Sequence, residues 1–289
     1  MGRLMGKTFN LSLLKSTTAC RVGLLSVLVL LRHPIPIRAD DSGATGPYQV
    51  EWRRDVPILA LSGVAAVVPE FLSHGLGRSP CPCSKDGIDP WDRGVAGRNS
   101  EGADGASDVA AGFLLAAPIV LDAVDVYRSG GDRSSFRSDA IVMFEAFALD
   151  EGLGRLVKAA VPRPRPFLDG LPAGDPAFRE ADNYRSFYSA HVSAVFATGL
   201  SYARTFALRH PKSSHRWLVY GAVILGGTTM GALRVAAGRH FPTDVLTGAV
   251  VGSAVGLAVP ALHHPRALTT VSVLPYDGGV MLSASFPIR

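Results

Sequence analysis

The sequence predicts an all-α protein, a bundle of six helices with a short C-terminal β-hairpin. Three observations carry that reading. Six apolar segments recur, at about 56–72, 108–127, 138–159, 190–207, 216–234 and 243–261, each at least 17 residues long and so too long for a strand. Ala, Leu, Val and Gly dominate them, and turn or cap residues bound them. Small residues also recur at helical spacing: Gly248, Gly252 and Gly256 in the sixth segment, and Gly226, Gly227 and Gly231 in the fifth. Such spacing lets helix backbones approach closely.

Ahead of the bundle, residues 1–39 read as an export signal or an uncleaved N-terminal anchor. Arg3, Lys7, Lys15 and Arg21 form a basic region before the apolar run Val22 to Leu31, and Ile37-Arg38-Ala39 offers a cleavage site before Asp40. Either way the chain is addressed to the cell envelope. Cys20 precedes the apolar run, where a lipoprotein acceptor would follow it. Cys81 and Cys83 flank Pro82; they can pair only in a strained ring, and two ligands do not make a metal site.

The helical domain is expected over 56–262. Glu70, Asp122, Asp125, Glu145 and Asp150 interrupt or border its first three segments. Because ionisable groups facing lipid are costly, they either face the bundle interior or belong to a soluble bundle. If the helices alternate in direction, one side receives Arg53, Arg54, Arg128, Arg133, Arg137, Arg209, Lys212, Arg216 and Arg266, whereas the 73–107 loop opposite is balanced or acidic. That is the positive-inside pattern, with the other side extracytoplasmic. A cleaved leader would leave the first helix on the wrong side for this rule, so integral membrane and soluble periplasmic arrangements both stay open.

The tail, 263–289, differs in kind. Leu268 to Leu274 and Val280 to Phe286 are β-prone, and Asp277-Gly278-Gly279 can turn the chain between them.

The apolar share is 47%, the charged share 18% and the net charge +5. Positive charge is spread along the chain without a basic block, which argues against nucleic-acid binding.

Three residue clusters carry the chemistry. Lys158 is followed after six residues by Arg165-Pro166; Ser189-Ala190-His191 comes next; Arg234, His240 and Asp244 close the set. In an up-down bundle Lys158 ends the third helix, His191 opens the fourth, Arg234 ends the fifth and Asp244 opens the sixth. All four points then share one end. Lys158, Arg165 and Arg234 can hold phosphate oxygens, the arginines with forked donors. Ser189 and the amides of Ala190 and His191 open a helix, where an anion is favoured. His240 is the candidate nucleophile, with Asp244 accepting from one ring nitrogen and leaving the other free. His191 is the candidate acid and base for the leaving oxygen and for water. Three fixed cations make a metal unnecessary, and no cofactor is expected. Arg163-Pro164 competes as the Arg-Pro pair, and only the spacing from Lys158 selects Arg165.

These clusters resemble the three signature motifs of the phosphatidic acid phosphatase type 2 superfamily, which includes lipid phosphate phosphatases, bacterial non-specific acid phosphatases and vanadium haloperoxidases. The resemblance implies a six-helix bundle of that type. It implies phosphate contacts from Lys158, Arg165, Ser189, Ala190 and Arg234, with His240 as nucleophile, His191 as acid/base and Asp244 as the partner of His240. A phosphorylated lipid or small phosphomonoester is the expected substrate, with the membrane as expected surroundings. The family's Pro-Ser-Gly-His appears as Tyr188-Ser189-Ala190-His191, and the Ser before the third motif's Arg is Leu233. Ala190 narrows the approach to phosphate, and Leu233 removes a hydroxyl. The alternatives are a vanadium-dependent haloperoxidase and a non-catalytic envelope protein on the same fold.

Overall fold

In a computed structural model, residues 46–72, 87–264, 270–276 and 279–285 are described. The leader, Cys20, Cys81 and Cys83 lie outside them. The six expected helices are α1 (Trp52–Leu72), α2 (Glu101–Arg128), α3 (Arg133–Ala160), α4 (Ala190–Arg209), α5 (His215–Ala236) and α6 (Pro242–His263). Strands β1 (Thr270–Tyr276) and β2 (Gly279–Ser285) pair antiparallel, with Tyr276 opposite Gly279. The expected hairpin is therefore present.

Helix starts differ most from the sequence expectation. α2 begins seven residues before the apolar run, at Glu101, because the Ser100 hydroxyl accepts from the Ala103 amide and caps it. α3 likewise begins at Arg133, behind Asp132, whose carboxylate accepts from the Ser135 amide. Both starts are set by capping, which an apolar-periodicity reading overlooks.

α4 is the central helix, with 13 of its 20 residues buried. The glycine row of α6 lies directly on it. A Cβ at Gly252 would collide with the Ser193 carbonyl oxygen, and one at Gly248 or Gly256 would press on the carbonyls of Ser189 or Ala197. The stripe thus sets the α4–α6 separation, as its spacing predicts. Val192, Val195, Phe196 and Leu200 of α4 pack with Ala111 of α2 and Met230 of α5. On the other side Ala197 joins Val142 and Ala146 of α3, Val255 and Val259 of α6, and Tyr48.

Carboxylates expected to interrupt the apolar segments turn inward: Asp122, Glu145 and Asp150 are fully or almost fully buried. Arg209 at the end of α4 binds Asp122 at 3.1 Å and Asp125 at 2.8 Å, and also pairs with Asp139. Arg54 lies inside α1 and binds Asp55 at 2.7 Å. Two of the cations counted above as loop charges are thus engaged in internal ion pairs.

The outer faces are apolar. Leu61, Val64 and Val67 of α1, Val109, Phe113 and Val120 of α2, Trp217, Leu218 and Leu225 of α5, and Leu246 and Val250 of α6 are all exposed. α2, α5 and α6 are each long and apolar enough to cross a membrane, by length and composition.

Candidate active site

The three motifs meet at one end of the bundle. There the starts of α2, α4 and α6 lie beside the ends of α3 and α5 and the 161–189 segment between α3 and α4. Lys158 occupies the last turn of α3 and Arg234 the last turn of α5. Asp244 sits in the first turn of α6, behind Pro242. A proline there gives up no helical hydrogen bond and its fixed φ suits a helix start. The Ser189 amide donates to the Asp244 carbonyl at 3.1 Å, which ties the second motif to the third.

His240 is almost completely buried, and its Nδ1 lies 2.7 Å from the Ser186 carbonyl oxygen. A carbonyl can only accept, so Nδ1 carries the proton and Nε2 keeps its lone pair. Burial first, and then the cations Arg165, Lys158 and Arg234, hold the ring's pKa well below the usual 6.5, against the opposing effect of the Ser186 carbonyl. The imidazole is therefore neutral, and the motif cations are close enough to act on it.

Asp244 departs from its expected contact. Its Oδ2 is 3.9 Å from His240 Nδ1, beyond hydrogen-bond reach. Instead Asp244 accepts from the Ser186 hydroxyl at 2.5 Å and the Phe241 amide at 2.9 Å, and it pairs with Arg163. The carboxylate holds the segment whose carbonyl holds the ring. Four residues of separation place Asp244 and His240 near each other, but His240 lies outside the helix, so the i,i+4 geometry does not apply.

Arg163 and Arg165 divide the labour. Arg163 binds Asp92 at 2.6 Å, pairs with Asp244 and stacks 4.3 Å over the Phe241 ring. Asp92 in turn accepts from the Thr243 amide at 3.0 Å, so Arg163 pins the 87–98 loop to the start of α6. Arg165 is 8% exposed and donates to the Asp182 carboxylate at 2.6 Å and to its carbonyl at 3.1 Å. Burial lowers the Arg165 pKa, with Asp182 opposing. Burial would raise Asp182, but Arg165 and Lys158 outweigh it and hold that carboxyl below its usual range.

Ser189 is the N-cap residue of α4, yet its hydroxyl makes no capping bond and is buried without a hydrogen-bond partner among the described residues. A buried hydroxyl in that state is costly unless something else meets it. Ala190 and His191 follow in the first turn of α4, both partly exposed.

Several site residues were not anticipated. Asp104 of α2 accepts from Arg234 at 3.1 Å and from Arg239 at 2.7 Å, and Ser107 accepts from Arg234 at 2.9 Å. Asp108, one turn further along, lies 3.6 Å from His191 Nε2 and 3.7 Å from Arg234. Asp104 and Asp108 are four residues apart on one helix face, a detectable signal once α2 is extended back to Glu101. Ser186 and Asp182 carry no comparable mark, because each lies in the irregular 161–189 segment, where no helical spacing relates it to the motif residues it holds. Gly238, between Arg234 and His240, has a φ of +69°. A Cβ there would run into the Arg98 carbonyl oxygen, so only glycine admits this turn beside the 87–98 loop.

Chemically the cluster offers a neutral imidazole, cations on three helix ends or loops, an unengaged hydroxyl at a helix N-terminus, and a second imidazole near a carboxylate.

Comparison with known proteins agrees with the motif reading. The family model described as the PAP2 superfamily matches residues 139–267, which include all eight expected site residues. A crystal structure of a transmembrane PAP2-type phosphatidylglycerolphosphate phosphatase from Bacillus subtilis is 21% identical. It covers 73% of this chain and 96% of its own, with a TM-score of 0.43. No curated protein matches the chain. The three motifs, Lys158–Arg165, Ser189–His191 and Arg234–Asp244, all fall inside the segment, residues 139–267, that matches the PAP2 superfamily model.

Proposed function

We propose that this protein is a membrane phosphatase that hydrolyses phosphomonoesters, with lipid phosphates as the main substrates, through a phosphohistidine on His240. The observation that carries the reading is the fixed tautomer of His240. Its Nδ1 proton is engaged by the Ser186 carbonyl, and its basic nitrogen is left over in a ring kept neutral by burial and by three cations. A neutral, desolvated imidazole is a competent nucleophile at neutral pH.

Lys158, Arg165 and Arg234 hold the phosphoryl oxygens, with the amides of Ala190 and His191 and the Ser189 hydroxyl completing the cradle. Nε2 of His240 attacks phosphorus, and the bond to the leaving oxygen breaks. His191 gives that oxygen its proton, so the alcohol departs neutral. The imidazole of His191 then takes a proton from water, which attacks the phosphohistidine. Inorganic phosphate leaves and His240 returns to its starting form. Asp108, 3.6 Å from His191, is placed to steady that ring in its protonated state.

The outward apolar faces and the three helices of membrane-crossing length support a bilayer setting, where a lipid phosphate presents its headgroup at a helix end. The distribution of exposed basic residues at the opposite end supports an extracytoplasmic site.

Phosphate release from phosphatidic acid and from p-nitrophenyl phosphate, measured in EDTA with full-length protein in detergent, tests the reading. Wild type is expected to hydrolyse both, and rapid acid-free quenching with labelled substrate should trap label on His240. Wild-type rates from His240→Ala would overturn it.

A further inference from the structure

At the end of the bundle away from the phosphate site, three ionisable side chains from three helices converge. Asp55 comes from the first turn of α1, Glu145 from α3 and His263 from the last turn of α6. They are 4%, 0% and 1% exposed. Their nearest ligand atoms lie within 4.8 Å of one another. His263 Nε2 is 3.0 Å from Glu145 Oε2 and 3.2 Å from Asp55 Oδ1.

The tautomer of His263 is fixed from its other side. Nδ1 lies 2.8 Å from the Val259 carbonyl oxygen, so Nδ1 bears a proton. Nε2 then faces two carboxylates, and something positive must lie between them. A ring proton would have to point along the ring axis at one oxygen. Neither carboxylate is so placed: His263 Nε2 and both Glu145 oxygens are buried without a hydrogen bond in bonding geometry among the described residues. Both oxygens nevertheless lie within 3.2 Å of Nε2, as two ligands of one ion bound at that nitrogen would. Bonds of about 2.0–2.2 Å to zinc put neighbouring ligand atoms about 3–3.5 Å apart, which agrees with the separations seen here.

The geometry points to a structural binding site for a divalent first-row transition ion of the zinc class, held by His263 Nε2, Asp55 Oδ1 and Glu145. Glu145 supplies both oxygens, since Oε1 has no other partner, and this gives four ligand atoms with no open position. Such a closed site is structural. The outer contacts fit the assignment. The Val259 carbonyl orients the imidazole and the Glu51 amide holds the far oxygen of Asp55 at 2.6 Å. Arg54 takes the remaining lone pair of Asp55 Oδ1 at 2.7 Å. Carbonyl and amide partners of this kind fix ligand direction in metal sites. Two carboxylates balance the ion's charge, so the buried cluster is electroneutral apart from the partly exposed Arg54. The ion would join α1, α3 and α6, three helices that otherwise meet there only through packing and these ion pairs.

The test uses full-length protein in detergent, stripped with chelator and titrated with zinc chloride by calorimetry, with metal content read by mass spectrometry. Wild type is expected to take up one equivalent saturably and to melt at a higher temperature when loaded. Loss of an outer-shell partner weakens a metal site by about 10- to 100-fold, so loss of a ligand in Glu145→Gln or His263→Gln should weaken it by more than about 100-fold. Circular dichroism establishes that each variant is folded; if one is not, Asp55→Asn takes its place. Absence of saturable zinc uptake by the wild type would overturn the assignment, as would unchanged uptake in folded variants. Because the readouts are stoichiometry and melting, failure here leaves the phosphatase reading untouched.

Discussion

His240 is held by a backbone carbonyl and not by a carboxylate, and this changes what substitution of Asp244 should do. Asp244 acts at one remove, through the Ser186 hydroxyl, the Phe241 amide and Arg163. Asp244→Asn keeps an acceptor for the first two and loses the charge opposite Arg163. The expected outcome is a fall in kcat of about 10- to 100-fold with little change in KM, well short of the loss in His240→Ala. Steady-state kinetics of the two variants side by side decide this, and equal losses would mean that Asp244 acts on the ring directly.

The depressed pKa of His240 has a consequence for stability. Between the folded and unfolded pKa values the unfolded chain binds more protons at this ring, so stability rises with pH there. The contribution is therefore complete above about 6.5 and is lost as pH falls towards the lower folded value. Melting temperature measured from pH 7 to pH 5 should drop more steeply for wild type than for His240→Gln. Parallel slopes would show that this ring does not carry the effect.

Among the helices, the glycine row of α6 has the sharpest expectation. Gly252→Ala forces a methyl group onto the Ser193 carbonyl and parts α6 from α4, at about 1–3 kcal/mol. The same separation would stretch the bond from the Ser189 amide to the Asp244 carbonyl, so activity should fall with stability. Gly221→Ala in α5 meets nothing within 4 Å and should be neutral or slightly stabilising. Melting curves of the pair, with activity on both, separate packing from a general effect of alanine.

Legibility followed what each signal measures. Apolar periodicity marked all six helices and fixed α4 to within two residues at its C-terminal end, because α4 is buried all round. It missed the first seven residues of α2, whose start is polar and set by the Ser100 cap, and with them Asp104. The eight motif residues were readable as chemistry because their types and order are unusual. The Ser186 carbonyl was not readable at all, since every residue has one, and only the folded path brings this one to His240.

At the scale of the whole molecule, the exposed apolar faces of α1, α2, α5 and α6 are too extensive for an aqueous surface. Full-length protein expressed in a bacterial host should pellet with membranes and resist an alkaline carbonate wash. Release into the soluble fraction would favour a periplasmic bundle and soluble esters as substrates. Charge arrangement agrees with insertion, since the buried Asp122 and the partly buried Asp125 of α2 are paired with Arg209.

The clasp made by Asp104 bears on how small a working version of this protein can be. It joins Arg234 and Arg239 to a helix 130 and 135 residues earlier in the chain. That helix ends before residue 139, where the family match begins. A fragment cut to the matched segment would keep every motif and lose the carboxylates that neutralise two inward-facing guanidinium groups. Modularity in this protein therefore runs along the bundle and not along the sequence: a unit that keeps the Asp104 clasp reaches back at least to Ser100, the cap of its helix.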